Sequence, residues 1–228
     1  PLPFLDPTGG LDDLRAGVLR LAGPSSLADD PLRVLRAGRF IATLGLRPDP
    51  ALPAAMGAAA PGLGGVAAER ARDELLKLLD APAAAPALRL LAGCGALTAL
   101  IPELQPAADY GPPGMVYRTI LEHLLESVAA LDWLVVSVRS AAPPPPVPLP
   151  EGAGRRDGAA AWDALPAALR AVPNLRAELP YADRLDALLG ERRAGGHRRA
   201  ALLKLAALLH DIAKPQTAEA HPDGSVSF

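Results

Sequence analysis

Through most of this chain, apolar residues return on one side of a helical repeat. Leu11, Leu14, Val18 and Leu19 predict a helix over 11–22, and Gly23-Pro24-Ser25-Ser26 breaks it. Val34, Ala37, Gly38 and Ile41 share the buried face of a second helix, Pro31 to Leu46. Asp30 suits its N-cap, because a carboxylate accepts from free backbone N–H groups, and Pro31 suits the first helical position. Opposite the apolar face stand Arg33, Arg36 and Arg39, three residues apart and within an arc of roughly 120°. Residues 47–64 are rich in Ala, Pro and Gly, with one short helix expected near 51–59. A charged helix follows from Val66 to Leu79, ending on Leu75, Leu76, Leu78 and Leu79. Another is expected over 86–100, with Gly93 and Gly95 near a bend and Pro102 as its stop.

The second half begins with a long amphipathic helix, Met115 to about Ser140. Pro143 to Pro150 is nearly all proline and reads as a polyproline spacer, with 151–160 continuing the loop. Helices are expected near 161–172, 181–193 and 197–213. Residues 1–10 read as an extended piece ending in a turn. After residue 6 no alternation predicts a strand, and no internal repeat is present. The pattern therefore predicts an all-α chain.

Composition narrows the function classes only a little. Half of the 228 residues are apolar and 4% are aromatic, so Ala- and Leu-lined helix contacts must make the core. Lys and Arg number 23 against 25 acidic residues, a net charge of −2, so any nucleic-acid surface must be local. The single cysteine, Cys94, excludes an internal disulfide and a Cys-rich zinc site. No signal peptide is present, and the apolar run Ala200–Leu209 is too short to span a membrane and is interrupted by Lys204, so a cytoplasmic location is expected. Pro1 in place of a Met, and Phe228 in mid-segment, are expected of a piece of a longer protein.

The cationic stripe headed by Asp30 offers planar multi-donor groups beside an acceptor-only group, which is what a nucleotide needs. Spacing alone favours a solvated face with an ordinary cap. Three clusters of basic residues invite the same question: Arg155-Arg156, Arg192-Arg193 and His197-Arg198-Arg199. They suit RNA phosphates but lack interleaved aromatics, and such clusters are commonly plain surface. Trp133 and Trp162 lie on apolar faces and are expected in the core.

In order and spacing, the first part of the chain resembles the class II tRNA nucleotidyltransferase and poly(A) polymerase family, which includes the CCA-adding enzymes. The resemblance runs through Asp6-Pro7-Thr8-Gly9-Gly10-Leu11-Asp12-Asp13-Leu14, Asp29-Asp30-Pro31-Leu32-Arg33, Glu69-Arg70 with Glu74-Leu75, and Ile101-Pro102-Glu103-Leu104. It covers about residues 4–104 and returns at 198–228. It implies that residues 1–10 end an α/β catalytic head, that 11–110 form a helical neck and body binding RNA and nucleotide, and that 111–228 form a partial HD-like helical domain with a Pro-rich insertion at 141–160. In the family, the Asp and Arg of an E-D-x-x-R motif read the base edge of CTP or ATP. Here those positions are Asp30 and Arg33, with Asp29 in place of the Glu, and Arg36 and Arg39 match positions lining the pocket.

The same resemblance implies tRNA as partner and Mg²⁺ as cofactor, held by a D-x-D pair in the head. This sequence contains no D-x-D. Asp12 and Asp13 are adjacent, so in a helix they point about 100° apart. The chain alone is therefore expected not to add nucleotides. His210-Asp211, followed by Lys214-Pro215, resembles the motif of HD phosphohydrolases, with His123 as the earlier ligand and a later Asp falling beyond Phe228. That implies a divalent metal at His123, His210 and Asp211. A buried hydrogen-bonded pair inherited from the fold accounts for His210-Asp211 equally well. The alternatives to a base-selecting transferase segment are an HD-type metal-dependent phosphohydrolase and a non-catalytic helical RNA-binding module.

Overall fold

The computed structural model describes residues 5–113, 115, 117–139, 175–193, 195–222 and 226–228. Its first helix, α1, is Gly10–Arg15. Asp6 opens it, its carboxylate oxygens accepting from Gly10 N at 2.9 Å and Leu11 N at 2.8 Å. The Leu11 hydrogen bond above all, with those of Gly10 and Thr8, holds the carboxyl below its ordinary value against the opposing effect of desolvation. The helix expected to continue to residue 22 does not. Gly17 turns the chain with φ 66, and Val18–Leu19 form a strand, β1. The short helix α2, Ser26–Asp29, leads to α3, Leu32–Leu44, which Gly45 ends with φ 65.

Strand β2, Arg47–Pro48, runs parallel to β1, with Val18 opposite Arg47 and Leu19 opposite Pro48. This corrects the expectation of no strand after residue 6. A two-residue strand is too short to alternate, and Val18 and Leu19 satisfy a helical pattern equally well. Helix α4, Leu52–Ala59, and a 3₁₀ turn, Ala60–Gly65, fill the Ala/Pro/Gly-rich stretch. Then come α5, Ala68–Leu79, and α6, Ala85–Gly93. The single helix expected over 86–100 is two, because Gly95 adopts φ 73 and starts α7, Ala96–Leu100. A 3₁₀ turn at Pro102–Leu104 joins it to α8, Gln105–Asp109.

The long helix is α9, Ile120–Arg139, shorter at its start than the expected Met115. Helices α10, Leu175–Glu178, α11, Ala182–Gly190, α12, Arg199–Leu209, and α13, Lys214–Thr217, follow. Strands β3, Glu219–Ala220, and β4, Val226–Ser227, form a small antiparallel pair. The helix expected at 161–172, the proline run and Trp162 lie outside the described residues.

The described chain is thus mostly helical. One continuous apolar core runs from Leu27 to Leu208, on both sides of residue 110. Helix α3 packs on α5 and α6, α9 on α6, and α12 on both α5 and α9. Leu78, Leu88 and Leu91 are fully buried where these helices meet, each worth about 1.5–3 kcal/mol. Gly38 lets α3 approach closely, since a Cβ there would lie 3.1 Å from Leu78 Cδ1 and Leu91 Cδ1. Ion pairs tie the second half onto the first: Arg198 Nε donates to Asp80 at 2.7 Å, and Arg89 lies 2.5 Å from Glu126. Within the second half buried Lys204 lies 2.6 Å from buried Asp132, and both reach the first half through its backbone, Lys204 donating to the Ala81 carbonyl and Asp132 accepting from Ala85 N. Among the described residues no helix is long and apolar enough to cross a membrane.

Candidate nucleotide-reading surface and His-Asp cluster

The head of α3 is built by its own polar residues. Asp30 is extended, with φ −148, so its carboxylate folds back and Oδ1 accepts from Leu32 N at 3.2 Å, as an N-cap should. Its other oxygen accepts from Arg70 Nη2 on α5 at 3.2 Å. Asp29 is held from the other side, Ser25 Oγ donating to it at 2.9 Å. Arg33 is exposed and places one guanidinium N–H on the Ser26 carbonyl at 3.0 Å. Asp30 therefore keeps free lone pairs, and Arg33 keeps free donors, on the solvent side of a fixed helix end.

Arg36 and Arg39, the next two of the stripe, turn toward α5. Arg39 Nε donates to Glu74 Oε2 at 2.7 Å, and its guanidinium stacks 4.4 Å from the Phe40 ring centroid. Arg36 Nε lies 3.9 Å from the same oxygen, within ion-pair reach but beyond a hydrogen bond. Arg70 and Glu74 are thus neighbours of the stripe that a reading of α3 alone misses. Their i, i+4 spacing on α5 puts both on one helix face, and a Glu next to Leu75 and Leu76 was the visible signal of a buried carboxylate.

His123, His210 and Asp211 come together although α9 and α12 carry them far apart in sequence. The two Nε2 atoms are 3.2 Å apart, and Asp211 Oδ2 lies 3.4 Å from His123 Nε2 and 3.3 Å from His210 Nε2. Three ligand atoms within 4.8 Å of one another are a fitting donor set for a divalent cation. The tautomer of His210 follows from its partners. Its Nδ1 is 2.8 Å from the Ala207 carbonyl, which only accepts, so Nδ1 carries the proton and Nε2 presents its lone pair to the cluster.

Burial lowers the His123 pKa, with the nearness of His210 and Lys214 adding to it against the opposing Asp211 carboxylate, so its neutral, ligating form prevails at neutral pH. Burial raises Asp211, but the Lys214 hydrogen bond and the nearby cationic groups outweigh it and keep the carboxylate ionised. Lys214 Nζ sits 2.8 Å from Asp211 Oδ2 and competes with a metal for that oxygen.

The basic residues near the start of α12 are largely neutralised. Arg193 and Arg199 both pair with Glu191, Arg198 with Asp80, and His197 lies 3.9 Å from Asp73. His197 and Arg198 tie the start of α12 to α5, while Arg193 and Arg199 pair locally with Glu191. Arg155 and Arg156 lie outside the described residues, and Trp133 is half-buried. Asp12 and Asp13 are occupied by Arg15 at 3.0 Å and Arg20 at 3.0 Å, so they do not form a carboxylate pair fit for Mg²⁺.

Residues 45–108 match a family model described as the probable RNA and SrmB-binding site of polymerase A. The chain is 36% identical over 133 residues to an A-adding tRNA nucleotidyltransferase of Deinococcus radiodurans, covering 56% of this chain and 31% of that protein. It is 43% identical over 98 residues to a CC-adding tRNA nucleotidyltransferase of Geobacter sulfurreducens, covering 43% of this chain and 23% of that protein. The chain thus spans about a quarter to a third of the length of these curated relatives. A solved tRNA nucleotidyltransferase, complexed with a primer tRNA and an incoming ATP analog, shares the fold with a TM-score of 0.51 and 19% identity, covering 91% of this chain and 42% of that one. Over residues 45–108 the chain is therefore similar to the RNA-binding region of polymerase A, and over about half of its length it is similar to part of curated tRNA nucleotidyltransferases.

Proposed function

We propose that this chain is the base-selecting and tRNA-supporting part of a nucleotidyltransferase that acts on tRNA 3′ ends, with CTP or ATP as its nucleotide. The observation that carries the reading is the head of α3. Asp30 is fixed by its cap and by Arg70, and acceptor lone pairs remain beside the exposed donors of Arg33. Cytosine and adenine both present an exocyclic amine next to a ring nitrogen. The carboxylate accepts from that amine, and the guanidinium donates to the ring nitrogen or carbonyl. Guanine carries a carbonyl where the amine would be, and a carboxylate repels it.

In this reading residues 1–10 end an α/β head, 11–110 form the neck and body, and 111–228 form a partial HD-like domain. Nucleotidyl transfer uses Mg²⁺ to activate the attacking hydroxyl and to stabilise pyrophosphate. With no D-x-D in the sequence, and with Asp12 and Asp13 in ion pairs, these residues do not fit that metal, and no step of the transfer runs through them. Calorimetry with CTP, ATP and GTP tests the reading. CTP and ATP bind and GTP does not; Arg33→Ala abolishes the difference. Equal CTP binding by Arg33→Ala rejects the assignment of α3. The purified chain is expected to add no CTP to a tRNA ending at its discriminator base.

A second reading rests on the His123–His210–Asp211 cluster, whose three ligand atoms converge from α9 and the end of α12. It makes this part a divalent-metal centre of HD type, acting on phosphomonoesters or cyclic nucleotides. Titration with Mn²⁺ tests it: one ion binds to the wild type and none to His210→Ala. No binding to the wild type removes this reading.

A further inference from the structure

The His123–His210–Asp211 cluster has a cation of its own, and two features outside the cluster hold it there. Asp211 and Lys214 flank the turn between α12 and α13, where Lys214 N donates to the Asp211 carbonyl at 3.1 Å. The three-residue spacing across this turn brings the lysine side chain onto the Asp211 carboxylate, with Nζ 2.8 Å from Oδ2. The same ammonium lies 4.9 Å from the ring centroid of Phe228, the residue after β4, so a positive charge rests against an aromatic face.

Oδ2 is also the oxygen on which the histidines converge. His123 Nε2 is 3.4 Å from it and His210 Nε2 is 3.3 Å from it. With both imidazoles neutral, as metal ligation requires, the three ligand groups supply one negative charge between them. Lys214 cancels that charge. A divalent ion drawing on Oδ2 therefore meets a positive charge already hydrogen-bonded to the same oxygen. Asp211 is 15% exposed and Lys214 is 36% exposed, so the carboxylate is fixed while the ammonium has solvent to move into.

We infer that Lys214 is the built-in cation of this cluster: it neutralises Asp211 when no divalent ion is bound, limits the affinity for such an ion by competing for Oδ2, and ties that exchange to Phe228. This rests on the reading of the cluster as a cation site and does not depend on any reaction there. Phe228 enters because one ammonium cannot leave Asp211 without changing its place on the ring. Cation binding between α9 and α12 is thereby felt at the β3–β4 pair, which touches the cluster through Lys214.

The test uses the full 228-residue chain, with Mn²⁺ binding measured by calorimetry and the phenylalanine rings, three in the sequence, followed by carbon-13 NMR. Lys214→Met keeps the stem and removes the charge, and it is expected to bind Mn²⁺ at least about tenfold more tightly than the wild type. Lys214→Arg keeps the charge and stays near the wild type. Phe228→Leu removes only the aromatic face and is expected to tighten Mn²⁺ binding by about two- to fivefold, the factor an exposed cation–aromatic contact represents. The ring resonances missing from Phe228→Leu identify Phe228. Diamagnetic Zn²⁺ is expected to shift them in the wild type and to leave them in place in Lys214→Met. If Lys214→Met and the wild type bind Mn²⁺ equally, the inference falls and the cluster stands as a metal site. If Lys214→Met binds Mn²⁺ and the wild type does not, the ammonium alone fills the site: the inference holds and the metal-centre reading of the wild type is removed. If neither binds, the cluster is no cation site and both fall. If Zn²⁺ binds and the Phe228 ring does not respond in the wild type, the exchange does not reach Phe228 and the inference is overturned.

Discussion

Replacing Lys204 by Met is the most direct test of how the two halves of the chain are joined. Lys204 is 1% exposed and lies on α12, its ammonium 2.6 Å from Asp132 Oδ1 and donating to the Ala81 carbonyl at 2.7 Å. Asp132 is 5% exposed on α9, and its other oxygen accepts from Ala85 N, at the start of α6, at 2.8 Å. One pair therefore joins α6, α9, α12 and the turn after α5. Met keeps the volume of the lysine stem and removes only the charge and the donors, so packing stays nearly constant. What changes is that a buried carboxylate is left with a single N–H.

The cost has a ceiling. When keeping the charge becomes too expensive, Asp132 takes a proton. At pH 7, protonating a group whose unfolded pKa is about 3.9 costs about 4 kcal/mol, at 1.36 kcal/mol per unit. This agrees with about 3–5 kcal/mol for breaking a buried pair by removing one partner. For a chain of this size it lowers Tm by about 8–16 °C. The pH dependence gives a second, independent signature. Burial raises the Asp132 carboxyl, and Lys204 with the Ala85 N–H opposes it. Without Lys204 the carboxyl rises further, so the folded protein holds a proton that the unfolded chain has lost. Stability then falls as pH rises above the unfolded value, and the deficit of Lys204→Met grows from about pH 4 to pH 7. Urea denaturation of both proteins at several pH values measures it. A loss below about 1 kcal/mol at pH 7, or a deficit independent of pH, refutes the reasoning.

Three further outcomes follow from single sites. Gly38→Ala is expected to destabilise by about 1–2 kcal/mol in urea, because a Cβ 3.1 Å from Leu78 and Leu91 forces these helices apart and outweighs the better helix propensity of alanine. Asp6→Ala removes both N–H acceptors at the start of α1 and is expected to cost about 1 kcal/mol in the same assay, with protease cleavage near residue 10 increased. Burial pushes the Cys94 thiol above its ordinary value, so alkylation at about pH 8.5 is expected to be slower in the folded chain than in urea. By the same sign the unfolded thiol ionises first as pH rises, and stability falls above that range; equal alkylation rates in both states contradict the assignment.

Periodicity carried most of the fold. The leucines of α5 and the apolar face of α3 place both helices within two residues of their observed ends. It failed where the deciding contact is not local. Val18 and Leu19 become a strand because Arg47 and Pro48 lie beside them, nearly thirty residues on. The break between α6 and α7 falls at Gly95 rather than Gly93, and only the packing selects which of two glycines turns left-handed. At the candidate site, Asp30 and Arg33 stand out in a window of four residues. Their backing does not, since Arg70 meets Asp30 across 40 positions and Glu74 meets Arg39 across 35. The basic run at 192–199 could be read as plain surface or as an RNA contact, because only part of its pairing is local: Glu191 meets Arg193 and Arg199, but Asp73 and Asp80, which meet His197 and Arg198, are more than a hundred positions away.

The buried pair and the His-Asp cluster bear on each other through the same two helices. Asp132 lies nine residues after His123 on α9, and Lys204 lies six residues before His210, so α9 and α12 run antiparallel with one contact near each end. At 1.5 Å per residue, a slip of a single residue between the helices moves the imidazoles relative to each other by about half of their 3.2 Å separation. Such a slip also drives Lys204 off Asp132, which costs several kcal/mol. The pair therefore fixes the register that brings His123, His210 and Asp211 to one point. A protein that needed only cohesion between α9 and α12 has leucines for that, since Leu124, Leu208 and Val128 are already fully buried there. Apolar contact is tolerant of a slip, and a buried ion pair is not. In Lys204→Met, then, the histidine ring resonances should broaden or move under conditions where the variant is still folded, and an unchanged His123–His210 pair in that variant would separate the two features.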